Sequence, residues 1–251
     1  MAQNPMNRGE LPSSIYHFPF PALSASSDLT LARDRARAAA ADVEGWLSQA
    51  QCEALFDVAA HARGRGHIVE IGSWQGRSTV WLASGARLAG LRVVAIDPHI
   101  GSREDPAART FESFTANIRR AGVDAVVTPL VMSSADAARQ LDGGVELLFI
   151  DGDHSDTGAD ADAEIWLPRL IEGGTVLMHD VVNAGYTGPR RVFRQRICWS
   201  GEFQSVRRVG SMGIATKTSR PSLWSRTSGW LAGLLLYAVD AKRMLKKVRQ
   251  T

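Results

Sequence analysis

Short apolar runs alternate with longer segments of helical pattern between residues 67 and 180, and this alternation constrains the fold more than any other feature. Five of the runs are continuous stretches of Val, Ile and Leu: HIVEIG, RVVAID, VVTPLVM, VELLFID and GTVLMHD. Continuous runs are typical of parallel strands that crossover helices cover on both faces. FQSVRRV and MGIATK, separated by Gly210 and Ser211, predict an antiparallel hairpin. The sequence therefore predicts a doubly wound α/β fold, with a mostly parallel seven-stranded sheet, helices on both faces and a C-terminal antiparallel hairpin.

The length and composition allow one domain of this kind. A chain of 251 residues can bury one sizeable core but not two, and 45% hydrophobic with 22% charged residues describes a soluble globular protein. The formal net charge of +3 is too small to indicate nucleic-acid binding. Cys52 and Cys198 show no CxxC spacing, and the chain begins without a secretory signal pattern. We therefore predict a cytoplasmic protein with no nucleic-acid partner.

Three regions are predicted along the chain. Residues 1–44 form a proline-rich lead-in and a helix, residues 45–217 the α/β domain, and residues 218–251 a basic amphipathic helix. A helix is expected to follow Ser48, because Ser48 and Gln51 form a capping-box pattern. Three aromatic residues of the lead-in are expected to pack on the domain: Tyr16, Phe18 and Phe20.

Ligands of doubly wound sheets bind outside the carboxyl ends of the strands, so the residues there are informative. The first strand ends in VEIGSWQGRST, whose ExGxxxG spacing lacks the GxGxxG of dinucleotide-binding proteins and argues against a nicotinamide-dependent enzyme. The second strand ends at Asp97, where a carboxylate can accept hydrogen bonds from both ribose hydroxyls. A plain turn glycine at Gly72 and an exposed turn aspartate at Asp97 are the structural alternatives.

The VEIGSWQG segment resembles motif I of class I S-adenosylmethionine-dependent methyltransferases, in which the glycine-rich turn lies against the amino-acid part of the methyl donor. The resemblance implies a Rossmann-like methyltransferase fold over roughly residues 45–217 and S-adenosylmethionine as the cofactor. It places Ser134 beside the adenine ring, although a serine there is equally an ordinary N-cap. The cofactor-binding residues that it implies are Glu70, Gly72, Ser73, Gly76, Ser78, Asp97, Ser134 and Asp151.

The fourth strand ends in the segment FIDGDH. This segment carries two carboxylates and an imidazole, which are costly to bury unpaired. Asp151, His154 three residues later, and His179 with Asp180 at the end of the fifth strand resemble metal-dependent O-methyltransferases, most closely sugar and macrolide enzymes with a DGDHS segment. The resemblance implies Asp151, His179 and Asp180 as ligands of a divalent metal, Mg²⁺ or Mn²⁺, and His154 as the general base. The imidazole of His179 suits Mn²⁺, Fe²⁺ or Zn²⁺ better than Mg²⁺.

Structural alternatives exist for several of these polar residues. His179 could be a satisfied strand-end histidine and Asp153 a solvated turn residue. The acids of the next helix are expected to form a plain solvated face: Asp160, Asp162 and Glu164.

The parts together predict methyl transfer from S-adenosylmethionine to a hydroxyl that a metal activates and His154 deprotonates, the base contributing about 10²–10⁴-fold. The predicted acceptor is a hydroxyl of a sugar, glycan or glycosylated metabolite. A phenolic or other small-molecule hydroxyl is the alternative, and aromatic residues at the mouth would favour it. A non-catalytic S-adenosylmethionine-binding scaffold is the third hypothesis, and the presence of Asp151 and His154 argues against it.

The C-terminal segment combines apolar and basic residues. Its apolar run, residues 229–239, is too short to span about 30 Å of hydrocarbon. It predicts either peripheral contact with an anionic membrane or docking of the helix on its own domain or on a second subunit of a homo-oligomer. The apolar residues are Trp230, Leu234, Leu235, Leu236 and Met244, and the basic residues are Lys242, Arg243, Lys246, Lys247 and Arg249.

Overall fold

The computed structural model describes residues 26–100, 110–183 and 185–248, so the predicted packing of Tyr16, Phe18 and Phe20 lies outside the described residues. The helices are α1 (Ser26–Ala40), α2 (Gln49–Ala60), α3 (Arg77–Leu88), α4 (Thr110–Arg120), α5 (Ser134–Gln140), α6 (Asp156–Trp166), α7 (Gly188–Val192) and α8 (Leu223–Val248), with a π-helical turn at Phe193–Cys198. The strands are β1 (His67–Ile71), β2 (Val93–Ile96), β3 (Val127–Leu130), β4 (Val145–Ile150), β5 (Leu170–Met178), β6 (Phe203–Val209) and β7 (Met212–Lys217).

The seven strands form one sheet in the order β3-β2-β1-β4-β5-β7-β6. Strands β1 to β5 pair in parallel, and β7 pairs antiparallel with both β5 and β6. The predicted doubly wound sheet with a closing antiparallel hairpin is therefore confirmed. The chain order reverses between β1 and β4, so the loops after these two strands diverge and leave a crevice at the carboxyl ends.

Strand β4 shows why the strands are continuously apolar. Leu147 and Phe149 pack into the layer formed with helices α1 to α4, whereas Leu148 and Ile150 pack into the layer formed with α5, α6, the π-helical turn and α8. Both faces are buried, so a polar residue would be costly at almost any position of the strand. Large fully buried side chains that fill the two layers include Phe56, Trp81, Trp166 and Phe193.

Helix α2 begins as the sequence predicts. The Ser48 hydroxyl accepts a hydrogen bond from the Gln51 backbone N–H, and the Gln51 side chain accepts one from the Ser48 N–H at 2.7 Å, so the capping box is confirmed. The helix then lies very close to α3, since a Cβ at Gly85 would clash with the Phe56 carbonyl oxygen. This close packing fixes the helix that follows the glycine-rich turn of β1.

Helix α8 packs on β6 and on the π-helical turn. Its inner side is shaped by Gly229 and Gly233, because a Cβ at Gly233 would clash with the Trp199 indole. The Trp199 Nε1–H also donates to the Trp230 carbonyl oxygen at 3.4 Å. Docking of this helix on its own domain, one of the two predicted alternatives, is thus confirmed. Within the three described ranges, no helix is long and apolar enough to cross a membrane.

Candidate active site

A cleft of about 1080 Å³ opens at the carboxyl ends of β1, β2, β4 and β5. Ligand sites of drug-sized molecules occupy roughly 300–1,000 Å³, so the cleft has room for a cofactor and an acceptor together. Most of the residues singled out from the sequence line it: Gly72, Ser73, Ser78, Asp97, Ser134, Asp151, His154, His179 and Asp180. Glu70 and Gly76 are not among the lining residues.

The turn after β1 requires its glycines for structural reasons. Gly72 has a φ of 84°, and a Cβ there would clash with the carbonyl oxygen of Asp151. Gly76 has a φ of 91°, and its Cβ would lie 3.1 Å from the Phe114 ring. Both glycines are therefore required by the conformation of the turn itself. A contact between Gly72 and the methyl donor stays a prediction.

Glu70 lies beneath the cleft instead of in it. Its side chain is fully buried, and the Thr79 hydroxyl donates to its Oε2 at 2.5 Å. Burial raises the pKa of Glu70 to about 8, against the lowering effect of hydrogen bonds from Ser78 and Thr79. The carboxyl is therefore protonated at neutral pH, and the structure does not bring it to the surface that a cofactor would touch.

Asp97 holds the neighbouring turns and still faces the cleft. Its Oδ2 accepts the Trp74 backbone N–H at 2.8 Å, and its Oδ1 accepts that of His99 at 2.7 Å. A carboxylate has about four acceptor positions, so two remain for further donors, as ribose hydroxyls would require. Nearby, the Ser73 hydroxyl and the Trp74 indole nitrogen are buried without a hydrogen-bond partner among the described residues. A polar ligand in the cleft would satisfy them, which fits S-adenosylmethionine.

The two serines after β3 have different roles. Ser133 is the N-cap of α5, because its hydroxyl accepts the Asp136 N–H at 3.1 Å. Ser134 is the first residue of that helix, and its hydroxyl donates to Asp162 Oδ1. The N-cap of α5 is therefore Ser133, and the alternative in which Ser134 caps the helix is wrong. Its place beside an adenine ring stays a prediction.

Asp162 is the clearest departure from the sequence-based expectations. It was expected on a solvated face, but it is buried and lines the cleft, and burial raises its pKa to about 6. Asp160 and Glu164 do point away from the core, where both contact Arg196. Residues two apart on a helix lie on different faces, so a run of three acids cannot all share one environment. Asp153, by contrast, is exposed as expected.

Asp151 joins two histidines through a single oxygen. Its Oδ1 lies 3.1 Å from His154 Nε2 and 3.0 Å from His179 Nδ1. Parallel pairing of β4 with β5 brings Asp151 and His179 to the same edge, since Ile150 pairs with Met178. The His179 ring is also held by Ser211, whose hydroxyl lies 3.2 Å from Nε2. The sequence predicted that these side chains lie at the same edge of the sheet. In the structure Asp151 is in contact with both His154 and His179.

The group that could hold a metal differs from the predicted set. Ligand atoms of Asp151, His154 and His179 all lie within 4.8 Å of one another. In the described part of the chain, Asp180 is not in this group, although its Oδ1 lies 3.6 Å from His179 Nδ1. Its backbone adopts a φ of 56°, in the left-handed region that non-glycine residues seldom occupy. Two imidazoles and one carboxylate suit Mn²⁺, Fe²⁺ or Zn²⁺ better than the Mg²⁺ that the resemblance implied.

The charges of this cluster support one another. Burial favours the neutral form of Asp151, but the charge of His179 and hydrogen bonds from both histidines outweigh it and lower the pKa of Asp151. Burial also opposes charge on His154 and His179, yet interaction with Asp151 outweighs it and raises the pKa of both imidazoles. A metal must be bound by neutral imidazoles, so it would compete with protons at this site.

Aromatic side chains form part of the cleft wall. The rings of Trp46 and Trp74 have centroids 4.4 Å apart, and the Tyr186 ring lies 4.5 Å from the His154 ring. All three aromatic residues line the cleft. The sequence analysis assigned no role to these three residues, although Trp74 lies within the VEIGSWQG segment, because no periodicity indicates which way a loop side chain points.

The chain is similar to known methyltransferases. Residues 69–181 match the family model Methyltransf_24, described as a methyltransferase domain. The chain is 32% identical over 159 residues to a catechol O-methyltransferase of Mycobacterium tuberculosis. The matched residues cover 63% of this chain and 67% of that protein.

Solved structures show the same fold. An O-methyltransferase from Bacillus cereus in complex with SAH is 24% identical with a TM-score of 0.53, over 78% of this chain and 93% of that chain. The SAM-bound O-methyltransferase TomG from Streptomyces achromogenes, involved in tomaymycin synthesis, is 22% identical with a TM-score of 0.53, over 78% and 92% of the two chains.

Proposed function

We propose that this chain, which belongs to the class I S-adenosylmethionine-dependent O-methyltransferases, methylates a phenolic hydroxyl of an aromatic acceptor with the help of a divalent metal. The observation that carries the proposal is the single oxygen of Asp151 shared by His154 and His179 in a cleft with aromatic walls. A relative named as a catechol O-methyltransferase supports this class of acceptor.

The two histidines are given different roles because their exposure differs. The His179 side chain is 5% exposed and is held by Ser211, as expected of a ligand whose ring must not move. The His154 side chain is 24% exposed and lies against Tyr186, so an acceptor can reach it. We therefore assign Asp151 and His179 to metal binding and His154 to proton transfer. A divalent ion there would lower the pKa of the acceptor hydroxyl and orient it.

The remaining chemistry belongs to the residues of the chain. The acceptor oxygen must lie in line behind the sulfonium methyl at near-attack distance, so the walls of the cleft would have to hold both molecules in that arrangement. As the O–C bond forms and the S–C bond breaks, the hydroxyl proton passes to His154, and S-adenosylhomocysteine leaves as a neutral thioether. A phenol has a pKa of about 10, far closer to that of an imidazole than a sugar hydroxyl, so a histidine base suits it better.

A sugar hydroxyl is the second candidate acceptor, in line with the resemblance of the DGDHS segment. Asp153 and Ser155 favour it, since both are exposed polar residues that line the cleft. A glycan could hydrogen-bond to them while its reacting hydroxyl reaches His154. The aromatic pair Trp46 and Trp74 and the ring of Tyr186 favour the phenol.

Labelled S-adenosylmethionine separates these alternatives when it is supplied with a panel of catechols, simple phenols and sugars. We expect transfer to a catechol or phenol, its loss after chelation, and its return with Mn²⁺, Fe²⁺ or Zn²⁺ more readily than with Mg²⁺. Methylation of sugars alone would exclude the phenolic acceptor. Full turnover by metal-stripped protein would exclude the metal.

The role of His154 has its own test. His154→Gln should slow single-turnover methyl transfer by about 10²-fold or more with unchanged affinity for S-adenosylmethionine. The matched control is His61→Gln, an exposed histidine at the end of α2, which should change neither quantity. A His154→Gln rate within a few-fold of the parent would remove the base assignment.

A further inference from the structure

The two sides of helix α8 differ in what they contact. The inner side, with Gly229, Gly233 and the buried Leu236, packs on the domain. The opposite side carries large apolar residues whose exposed fractions run from 38% to 81%. They are Leu223, Trp224, Trp230, Leu231, Leu234 and Leu235. We call these six residues the outer face of α8.

The outer face is a continuous surface. At 3.6 residues per turn its six residues fall within an arc of roughly 140°, on the side of the helix opposite Gly229 and Gly233. Scattered apolar residues on a surface need no explanation, but six large ones grouped on one helix mark an interaction site. The first turns of α8 thus serve two surfaces, of which the domain covers one.

The charge of the C-terminal segment indicates what covers the outer face. Residues 218–251 contain seven Lys and Arg against a single Asp, although the whole chain has a formal net charge of only +3. Four of these cations, Lys242, Arg243, Lys246 and Lys247, belong by sequence to the second half of α8. An apolar helix face with exposed tryptophans and a cluster of cations is the composition of helices that lie in the interface of an anionic bilayer.

We propose that the outer face of α8 lies on an anionic lipid surface and holds the enzyme there as a peripheral protein. The leucines and tryptophans enter the boundary between headgroups and acyl chains, and the cations contact the anionic headgroups. A second copy of the chain is the less suitable occupant, because its own α8 offers a single acid, Asp240, to pair with these cations. The proposal is independent of the acceptor and of the metal.

Sedimentation with lipid vesicles tests the proposal on the full chain. We expect binding to phosphatidylcholine vesicles that contain phosphatidylserine, and at least about tenfold weaker binding to phosphatidylcholine alone. The double variant Trp224→Ser with Leu235→Ser should bind at least about tenfold more weakly, and so should Lys246→Glu with Lys247→Glu. The matched control is Leu31→Ser, an exposed leucine on α1, which should bind as the parent does.

Calorimetric binding of S-adenosylmethionine checks that every variant is folded. Failure of the intact chain to sediment with anionic vesicles would overturn the proposal, and so would equal binding by the Trp224→Ser, Leu235→Ser variant. Sedimentation velocity tests whether a second copy of the chain occupies the outer face instead. A dimer of the intact chain that this variant converts to monomer would assign the outer face to a second copy and overturn the lipid assignment.

Discussion

Replacement of Glu70 by glutamine should change how stability depends on pH. Glu70 is fully buried, and burial raises its pKa from 4.5 to about 8. The folded chain therefore holds a proton at Glu70 that the unfolded chain releases above about pH 4.5. Folding takes up this proton, so the free energy of unfolding falls as pH rises from 4.5 towards 8. The glutamine of the variant would not titrate, and its amide oxygen can still accept the Thr79 hydroxyl.

The magnitude follows from the pKa difference. Each pKa unit corresponds to about 1.36 kcal/mol, so the shift from 4.5 to about 8 is worth about 5 kcal/mol in total. The folded form holds nearly all of its proton at about pH 6 and about half of it at about pH 8, so roughly 2 kcal/mol of the total is lost over this interval. We expect the variant to gain that amount relative to the parent over this interval, because all other groups titrate in both proteins.

Urea unfolding followed by circular dichroism at about pH 6, 7 and 8 measures the difference directly. The unfolding free energies of parent and Glu70→Gln should diverge steadily with pH, the parent being the one that loses stability. Parallel profiles would refute the reasoning, since they would mean that Glu70 is already ionised in the folded protein at the lowest of these pH values.

Three further predictions concern the core, a cap and the cofactor. Gly85→Ala should lower the free energy of thermal unfolding by about 1–3 kcal/mol, because its Cβ meets the Phe56 carbonyl; an unchanged melting temperature would contradict this contact. Ser48→Ala should cost about 1 kcal/mol in urea unfolding through loss of the capping box with Gln51, and no change would mean that water replaces it. Asp97→Ala should weaken S-adenosylmethionine binding at least about tenfold in calorimetry, whereas equal affinity would remove the ribose assignment.

The strands could be predicted because burial on both faces leaves a strong sequence signal. Strands β6 and β7 occupy the predicted residues, 203–209 and 212–217. Strand β5 was predicted to begin at Gly174 but begins at Leu170, because the sheet pairing resumes after an irregularity. Gly173 lies there with a φ of 74°. A glycine normally indicates a strand end, and nothing local shows that pairing continues beyond it.

The candidate site could be predicted in part, for a related reason. Residues that end neighbouring parallel strands must meet, so the approach of Asp151 and His179 follows from topology, whereas the place of His154 also depends on the loop after β4. The position of Asp180 depends on a left-handed backbone that a non-glycine residue seldom adopts, and no sequence pattern indicates it. The burial of Asp162 depends on how α6 is rotated about its axis.

The contact between the turns after β1 and β4 matters for anyone who wishes to change the acceptor by directed evolution. Gly72 lies against the backbone of Asp151, and a Cβ at Gly152 would lie 2.9 Å from the Asp162 carboxylate. A library that randomises Gly72 would consist mostly of misfolded clones, whereas a side chain at Gly152 would displace the Asp162 carboxylate. The loop residues Trp46 and Tyr186 border the same cleft, and their rings contact Trp74 and His154, respectively. Diversity placed at Trp46 should alter acceptor choice without touching His154, whereas changes at Tyr186 also alter the surroundings of the His154 ring.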